Sequence, residues 1–229
     1  MTLEEAIIAR HSVRDYISKP LPDDVVLTLQ KAIDECNREG DLHFQLILNE
    51  KKAFTGMLAY GKFKGVENYL VFAGKKAPDL DDRVGYYGEK IVLLAQTLGL
   101  NTCWVGLSYR NVKNAYDIAE GEKLACMVSL GYGRTQGPLS KSKKITDVSN
   151  YSTSSPEWFR KGVEAALLAP TAINQQKFYF ELIDKKRDDK AVVRAKRIFS
   201  AVGYTHMDMG IAKLHFEIGA GTENFVWDE

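Results

Sequence analysis

The sequence is poor in cysteine and proline, and it carries almost no net charge. Its 229 residues include three cysteines and six prolines, and 31 basic residues nearly balance 30 acidic ones. Three scattered cysteines are too few for a disulfide scaffold or a cysteine metal site, and their odd number predicts reduced thiols. A formal net charge of +1 gives no global field for nucleic acid or an anionic membrane. Any bound phosphate therefore needs a local cluster of donors.

Long hydrophobic runs are also missing, because no stretch of the sequence reaches the ~18 apolar residues of a membrane-spanning helix. The first five residues, Met1-Thr2-Leu3-Glu4-Glu5, form a helical pattern and not the apolar core of a signal peptide. We therefore expect a cytoplasmic protein. The remaining composition, 45% hydrophobic and 27% charged, is typical of a globular chain and excludes a wholly disordered or collagen-like one. The length predicts one compact domain or two fused half-units.

Apolar periodicity predicts alternating helices and strands. The predicted helices cover residues 2–9, where Thr2 and Glu5 form a capping box, 22–39, 87–98 and 160–168. Gly40 and Gly99 are predicted to end the second and third of these helices. The predicted strands cover 43–48, 68–73, 102–105, 126–130 and 177–183. Residues 137–155 are polar and rich in serine and lysine, which predicts a loop or linker.

The order of helix and strand recurs in the second half of the chain. A shift of about 134 residues places Ile33 on Leu167 and Phe44 on Phe178, and a shift of about 120 places Ile91 on Ile211. We interpret this as a diverged internal duplication, with repeats over residues 1–150 and 151–229 that together form one compact unit. The alternative is that any two helix–strand units look this similar.

A cluster of donors follows the first helix in Arg10-His11-Ser12-Val13-Arg14. The planar guanidinium group of arginine is well matched to phosphate, and a serine hydroxyl adds a donor. A solvated basic helix end that complements the helix dipole is the alternative, and this segment alone favours it. The lysine run at 141–144 is by itself typical of a solvated loop, but together with the arginine cluster it would hold a phosphate well.

Two further segments have ligand-binding character. Ala169-Pro170-Thr171-Ala172-Ile173-Asn174-Gln175-Gln176 combines small residues, which permit close approach to the backbone, with polar groups suited to a heterocycle edge. An ordinary capped loop is the alternative. In the segment from Gly99 to Gly106 a predicted helix ends at the first glycine and a short predicted strand follows. The second glycine leaves the backbone accessible, because it has no side chain. Trp104 in this segment is typical of a core residue.

In combination these segments resemble the FMN-dependent nitroreductase family. Residues 10–14 match its R-[RH]-S-x-[RK] motif, 169–176 match A-P-[ST]-[AS]-x-N-x-Q, 99–106 match G-L-x-[ST]-x-W-x-G, and 130–133 are similar to L-G-Y-P. The resemblance covers nearly the whole chain. It implies an α+β, nitroreductase-like fold: a central, mostly antiparallel sheet flanked by helices, with two diverged repeats in one chain mimicking the family dimer.

The chain departs from the family pattern in the order of its motifs. In the family, two subunits build the FMN site, one with the arginine motif and the other with the Ala-Pro-Ser motif. Here the second motif stands in the second half of the same chain, so the chain resembles the single-chain, TM nitroreductase-like branch. This implies one FMN site per chain and a monomer. Lys177-Phe178 stands where the family usually has Pro-Trp. This departure implies that the contacts near the flavin edge differ from those of the family, although flavin binding itself is still expected.

The resemblance implies a role for each matching position. Arg10, His11 and Ser12 would hold the FMN phosphate and ribityl chain, and Arg14 would lie near the N1–O2 edge of the ring. The backbone of Val105 and Gly106 would face N5 and O4, and Lys143 or Lys144 would complete the phosphate site. The ring would be lined by Pro170, Thr171, Ala172, Asn174 and Gln176, and bordered by Tyr60 and Gly61.

The implied activity is that of an FMN-dependent oxidoreductase. Hydride from NADH or NADPH would pass to flavin N5, and the electrons would then reduce a small organic acceptor such as a nitroaromatic or a quinone. No catalytic side chain is required, and neither His206 nor His215 has a spacing that suggests a metal site. The alternatives are a flavin enzyme of different chemistry, such as dehalogenation or oxidation, and a non-enzymatic FMN-binding protein. We expect small-molecule partners only, with no nucleic acid and no membrane.

Overall fold

The computed structural model describes residues 1–56 and 62–228. Its helices are α1 (Leu3–Ala9), α2 (Asp23–Gly40), α3 (Leu80–Thr97), α4 (Glu157–Ala166) and α5 (Thr205–Ala220). Its strands are β1 (Leu42–Ile47), β2 (Asn68–Lys75), β3 (Asn101–Val105), β4 (Glu122–Gly131), β5 (Phe178–Arg187), β6 (Lys190–Arg197) and β7 (Phe225–Trp227). Two single turns of 3-10 helix cover Ile145–Asp147 and Ala172–Asn174.

The chain divides into two compact units. The first unit contains Met1, Ala9–Leu80 and Lys90–Leu139, and the second contains Thr2–Ile8, Asp81–Glu89 and Ser140–Glu229. Helix α3 therefore contributes Asp81–Glu89 to the second unit and its other residues to the first. The division follows contacts and not ancestry, so the predicted repeats over 1–150 and 151–229 stay a prediction.

The first unit is built on a four-stranded antiparallel sheet in the order β1-β2-β4-β3. Strand β2 is central and buried from Asn68 to Gly74, as its continuous apolar run predicts. Helix α2 buries Leu29 and Ile33 completely, because they lie on its one apolar face. Trp104 on β3 packs its ring 5.3 Å from that of Phe72 and is half-buried, so it contacts the edge of the core.

The second unit contains a three-stranded sheet in the order β5-β6-β7, in which β5 and β6 are antiparallel and β6 and β7 are parallel. Helices α4 and α5 approach closely through glycines: a Cβ on Gly162 would lie 2.9 Å from the side chain of Ala220. Aromatic rings fill the core, with the Phe180 and Phe216 centroids 4.7 Å apart. These close contacts form the core of the second unit.

A buried polar pair lies among these helices. The Nε2 atom of His215 is 2.9 Å from Oε1 of Glu89, and its Nδ1 atom is 3.1 Å from the carbonyl oxygen of Ala165. Both side chains are fully buried. The imidazole thus satisfies both of its ring nitrogens within the protein, which is a structural role.

Several predicted elements are present with different bounds. Helix α3 begins at Leu80 and not at residue 87. Gly40 does not end α2 by a left-handed turn; it is helical, and Asp41 takes the left-handed conformation with φ 47°. Strands β6 and β7 and the start of α5 were not predicted; in β6, four of the eight residues are charged, which leaves a weak strand pattern.

The fold is nitroreductase-like in having mixed α and β content and an antiparallel sheet, but its described strands form two sheets and not the single central sheet that the resemblance implies. The internal duplication is not shown by the structure and stays a prediction. Within residues 1–56 and 62–228, no helix is long and apolar enough to cross a membrane.

Candidate functional site

The arginine segment, residues 10–16, runs beside the outer edge of the first sheet. The backbone amide of Val13 donates to the carbonyl of Thr102 on β3 at 3.0 Å, which forms a short parallel bridge. On the other side, the amide of Lys64 donates to the carbonyl of Arg14, and the amide of Tyr16 donates to that of Lys64, both at 2.9 Å. Backbone pairing on both sides therefore fixes the segment in an extended form.

The loop after β4 covers the same segment. The amide of Arg134 donates to the carbonyl of Asp15 at 2.8 Å, and the two side chains form an ion pair at 3.3 Å. Gly137 takes φ +80°, and a Cβ there would lie 2.9 Å from the carbonyl oxygen of Ser12. Only glycine fits this close approach, so the loop closes over the backbone of the segment.

Asn101, at the start of β3, holds this loop in place. Its side-chain carbonyl accepts a hydrogen bond from the amide of Gly133 at 2.9 Å, and its Nδ2 group donates to Oε1 of Gln136 at 2.9 Å. Asn101 is 4% exposed. Sequence reasoning missed it; the available signal was a polar residue at the start of a buried strand.

Positive charge accumulates around Ser12. Arg10 is buried, and burial, helped by the nearby Arg10 charge, lowers the pKa of His11 below its ordinary value. Burial raises the pKa of the Cys103 thiol, whereas the charges of Arg14 and Arg10 and a hydrogen bond with Ser12 act in the opposite direction. Both guanidinium groups therefore act on one point of β3, next to the position where Ser12 pairs with it.

Val105 and Gly106 lie at the far end of the same strand. Val105 is buried and pairs with Met127 on β4. At the usual rise of a strand, the run from Thr102 to Val105 covers roughly 10 Å, a length comparable with a ribityl phosphate arm. Tyr60 and Gly61, which were predicted to border the flavin, lie outside the described residues.

In the second unit, the Ala-Pro-Thr-Ala motif forms a turn with unusual backbone angles. Three of its residues other than glycine have left-handed conformations: Ile173 at φ 48°, Asn174 at 58° and Gln176 at 46°. Such angles are costly for a β-branched residue and persist only where the surroundings enforce them. Part of that enforcement is local, because Oγ1 of Thr171 accepts a hydrogen bond from the amide of Gln176 at 3.1 Å.

A buried carboxylate, Asp208 in the first turn of α5, also enforces the turn. It accepts a hydrogen bond from the amide of Ala172 at 2.9 Å and another from Nε2 of Gln175 at 2.6 Å. Burial raises the pKa of Asp208 to about 6, although both hydrogen bonds favour the charged form. Sequence reasoning missed this residue; the signal was an acidic side chain in the first turn of an otherwise apolar helix.

The polar side chains of the motif bind the lysine loop. Gln176 is 1% exposed; its Oε1 accepts from the amide of Lys143 at 2.8 Å, and its Nε2 donates to the carbonyl of Lys141 at 3.2 Å. Nδ2 of Asn174 donates to that carbonyl as well, at 2.6 Å. Both side chains were predicted to line the flavin ring, but the structure engages them in holding the loop against the turn.

The two lysines predicted for the phosphate differ in their surroundings. Nζ of Lys143 donates to the carbonyls of Gln175 at 2.9 Å and Gln176 at 2.7 Å. Burial, with the nearby charge of Lys177, lowers the pKa of Lys143. Lys143 and Lys144 are both exposed. The two lysines therefore differ in that the ammonium group of Lys143 is engaged with the carbonyls of the turn.

Comparison with known proteins adds to this geometry. The family model described as "Putative TM nitroreductase" matches residues 2–220 of the chain. The chain belongs to this nitroreductase family. No protein of curated function matches it.

Solved structures show the nitroreductase fold. A "putative nitroreductase" from Thermotoga maritima is 22% identical, with a TM-score of 0.63 over 96% of this chain and 83% of that one. A "putative nitroreductase" in complex with FMN, from Desulfovibrio desulfuricans, is 15% identical, with a TM-score of 0.51 over 68% of this chain and 98% of that one. The NfrA1 nitroreductase of B. subtilis is 14% identical, with a TM-score of 0.51 over 67% and 74%.

The structure thus distributes the predicted site of this nitroreductase-family chain over two local clusters. The first unit brings together the arginine segment and the end of β3, namely Arg10, His11, Ser12, Arg14, Val105 and Gly106. The second unit brings together the motif turn and the lysine loop, namely Lys143, Lys144, Pro170, Thr171, Ala172, Asn174 and Gln176. Among the described residues, no group of histidine, cysteine, aspartate and glutamate is arranged to hold a metal ion.

Proposed function

We propose that this chain is an FMN-dependent oxidoreductase of the nitroreductase type. In this proposal it takes hydride from NADH or NADPH and reduces a small organic acceptor, such as a nitroaromatic or a quinone. Membership of the family supports the proposal, and so does the FMN complex of the Desulfovibrio desulfuricans relative. The observation that carries it is the pairing of the arginine segment, through Ser12 and Val13, with Thr102 on the edge strand that ends at Val105.

The donor set of the arginine segment fits the phosphate and ribityl parts of FMN. Arg10 and Arg14 offer planar forks of N–H groups, and Ser12 adds a hydroxyl. Beside Ser12, the Oγ1 atom of Thr102 is buried and has no hydrogen-bond partner among the described residues. A buried hydroxyl with unused hydrogen-bonding capacity, on the strand that pairs with the arginine segment, is compatible with a polar ligand at this edge.

The motif turn fits a planar ring through its small residues and backbone. Pro170, Thr171 and Ala172 would contact the ring, while Asn174 and Gln176 keep the turn in shape, since their polar atoms are already used. For the phosphate, Lys144 is the better candidate than Lys143 because Lys143 binds two carbonyls of the turn.

When bound, FMN supplies hydride acceptance from a nicotinamide and electron delivery to the acceptor. The chain supplies binding and electrostatics. Arg14 would place a positive charge near the N1–O2 edge, where negative charge develops on reduction. Val105 and Gly106 would present backbone groups to N5 and O4. No side chain is needed as a proton donor in this scheme.

The purified protein tests the proposal directly. We expect a yellow protein whose flavin absorbance bleaches when NADH or NADPH is added without oxygen and returns when a nitroaromatic or a quinone is added. A yellow protein that neither nicotinamide bleaches would indicate a flavin-binding protein. Bleaching without reoxidation by either acceptor would favour a different flavin chemistry, and no FMN binding at all would overturn the proposal.

The Arg10→Ala variant tests the phosphate contact. Loss of a charge-assisted hydrogen bond of about 1.5–3 kcal/mol corresponds to a roughly ten- to hundred-fold weaker affinity for FMN. The measurement is FMN fluorescence quenching on the apoprotein, with circular dichroism to verify folding. Arg38→Ala on α2 is the matched control, because its side chain is 73% exposed. Equal dissociation constants for the two variants would contradict the assignment.

The proposal also includes a monomer, since both motifs that the family takes from two subunits stand in one chain. Light scattering of the FMN-loaded protein should give the mass of one chain. An obligate dimer would contradict this part of the proposal and leave the flavin chemistry unaffected.

A further inference from the structure

The loop after β4 lies along the arginine segment over most of the segment's length. At the start of the loop, the carbonyl of Tyr132 accepts a hydrogen bond from the amide of Ile17 at 2.9 Å. Further along, Gly137 approaches so closely that a Cβ there would lie 2.9 Å from the carbonyl oxygen of Ser12. Residues 132–137, which we call the cover loop, therefore contact the segment at both of its ends.

A single side chain, that of Asn101 at the start of β3, is hydrogen-bonded to two points of the cover loop. Its Oδ1 atom accepts from the amide of Gly133, and its Nδ2 group donates to Oε1 of Gln136, both at 2.9 Å. The asparagine is 4% exposed. Because so little water reaches this amide, its two hydrogen bonds can be broken only at the cost of leaving buried polar groups unpaired.

The same point of β3 also holds the arginine segment. Thr102, the residue after Asn101, accepts a hydrogen bond from the amide of Val13 at 3.0 Å. A Cβ on Gly133 would lie 2.8 Å from Oδ1 of Asn101 and 2.8 Å from Cγ1 of Val13. Glycine therefore lets the backbone of the cover loop fit between the asparagine and the segment. Two adjacent residues of one strand thus fix both the loop and the segment.

The fixed segment contains the donors that the proposed function assigns to the FMN phosphate and ribityl chain, namely Arg10, His11 and Ser12. Donors that are ordered before binding hold a ligand more tightly, since the free energy of ordering them is not lost when the ligand binds. Riboflavin has the ring and the ribityl chain of FMN but no phosphate. An ordered set of phosphate donors therefore favours FMN over riboflavin.

We propose that Asn101 is a positioning residue that sets the preference of this chain for FMN over riboflavin. It acts through the cover loop, which holds the backbone at Ser12 in the conformation that the phosphate requires. The inference rests on the proposed function and deepens it, because it names the part of the flavin that the loop serves. Asn101 occupies an unspecified position of the G-L-x-[ST]-x-W-x-G motif, so the motif does not assign this role.

The test compares the affinities of the full-length apoprotein for FMN and for riboflavin, both measured by flavin fluorescence quenching. The variants are Asn101→Ala, Gln136→Ala and the double variant, with circular dichroism to verify folding. Asn37→Ala on α2 is the matched control, because the Asn37 amide also makes two hydrogen bonds, to the backbone of Phe44 at 2.6 and 3.0 Å. This control separates a general loss of stability from an effect on the phosphate donors.

We expect Asn101→Ala to weaken FMN binding about tenfold and to leave riboflavin affinity within about twofold of the wild type. Gln136→Ala removes one of the two hydrogen bonds and changes an exposed residue, so FMN binding should weaken about threefold. The double variant should bind FMN no more weakly than Asn101→Ala, because both changes act through one loop. Asn37→Ala should bind both flavins as the wild type does.

The inference is overturned if Asn101→Ala weakens both flavins equally, leaves both unchanged, or behaves like Asn37→Ala. It is also overturned if the two losses simply add in the double variant. If Asn101→Ala does not fold, Gln136→Ala decides, and an unchanged preference for FMN in that variant overturns the inference. Failure of the wild-type protein to bind either flavin would instead overturn the proposed function.

Discussion

The arginine segment and the motif turn are held in place by different parts of the chain. Residues 12–17 are fixed mainly by backbone hydrogen bonds to β3, to Lys64 and to the loop after β4. Residues 171–176 are fixed mainly by side chains, with Asp208 and Gln176 as the centres of the network. The first region needs few particular side chains for its shape, whereas the second depends on several.

This difference gives a structural role to polar residues of the turn that the motif alone could equally assign to ligand binding. A donor or acceptor in a motif has the chemistry to bind a ligand, but it can use that chemistry on its own protein. In the arginine segment the backbone makes most of the holding contacts. In the turn, Asn174, Gln175 and Gln176 make them with their amides, so small residues and backbone remain for the ring.

Of the variants that test this comparison between the two regions, Gln176→Ala should lose the most stability. The truncation removes a side chain that is 1% exposed, together with the acceptor of the Lys143 amide and the donor to the Lys141 carbonyl, which should lower the free energy of unfolding by about 3 kcal/mol. Asn174→Ala, at an exposed position, should cost ~1 kcal/mol or less. Urea denaturation measures the free energy of unfolding of both variants. Equal losses of stability would show that the turn does not depend on the buried side-chain amide of Gln176.

The second effect is a pH dependence of stability that arises in the turn. Because the pKa of Asp208 is raised from 3.8 to about 6, the folded chain binds more protons than the unfolded chain between these pH values. The contribution of Asp208 to stability is therefore greatest below pH 4 and is lost as the pH rises through 6. The free energy of unfolding therefore falls by about 3 kcal/mol between pH 4 and pH 7 through this group.

Asp208→Asn should remove this contribution. The measurement is the free energy of unfolding at pH 4 and pH 7, compared between the wild type and the variant. Asp184→Asn, at an exposed position on β5, is the control and should keep the wild-type pH dependence. Identical pH profiles for the two variants would exclude Asp208 as the titrating group.

The smallest effect is expected in the arginine segment. The hydroxyl of Tyr16 is buried, donates to the carbonyl of Val13 at 2.7 Å and lies 2.8 Å from Oγ of Ser129. Tyr16→Phe removes both contacts but leaves the backbone bridges intact, so the loss of stability should be about 1–1.5 kcal/mol. A loss as large as that of Gln176→Ala would break the comparison between the two regions.

The secondary structure that depends on local periodicity was predictable from the sequence. The apolar stripe of α2, with Leu29 and Ile33, and the buried run of β2 both appear as predicted. Strand β6 was not predictable in this way, since four of the eight residues of Lys190–Arg197 are charged and the segment pairs with β5 in the folded chain. A strand that is stabilised mainly by pairing with its neighbour has only a weak strand pattern in its own sequence.

The motif segments of the candidate site could be identified from the sequence, but the residues that hold these segments in place could not. Residues 10–14 and 169–176 were identified from residue type and spacing. Asn101 and Asp208 were missed because their roles depend on Gly133 and Ala172, which are 32 and 36 residues away in the chain. Contacts over such distances are created by folding and leave no pattern in a local window of sequence.

The amino-acid sequence by itself determined which donors this chain possesses, which segments with a clear apolar period form helices or strands, and which family motifs it carries. Only the tertiary structure decided which of those donors are used internally. The reason is physical: a buried amide such as that of Gln176 must find partners when it leaves water. The nearest partners are set by the path of the folded chain, which brings Lys141 and Lys143 to it.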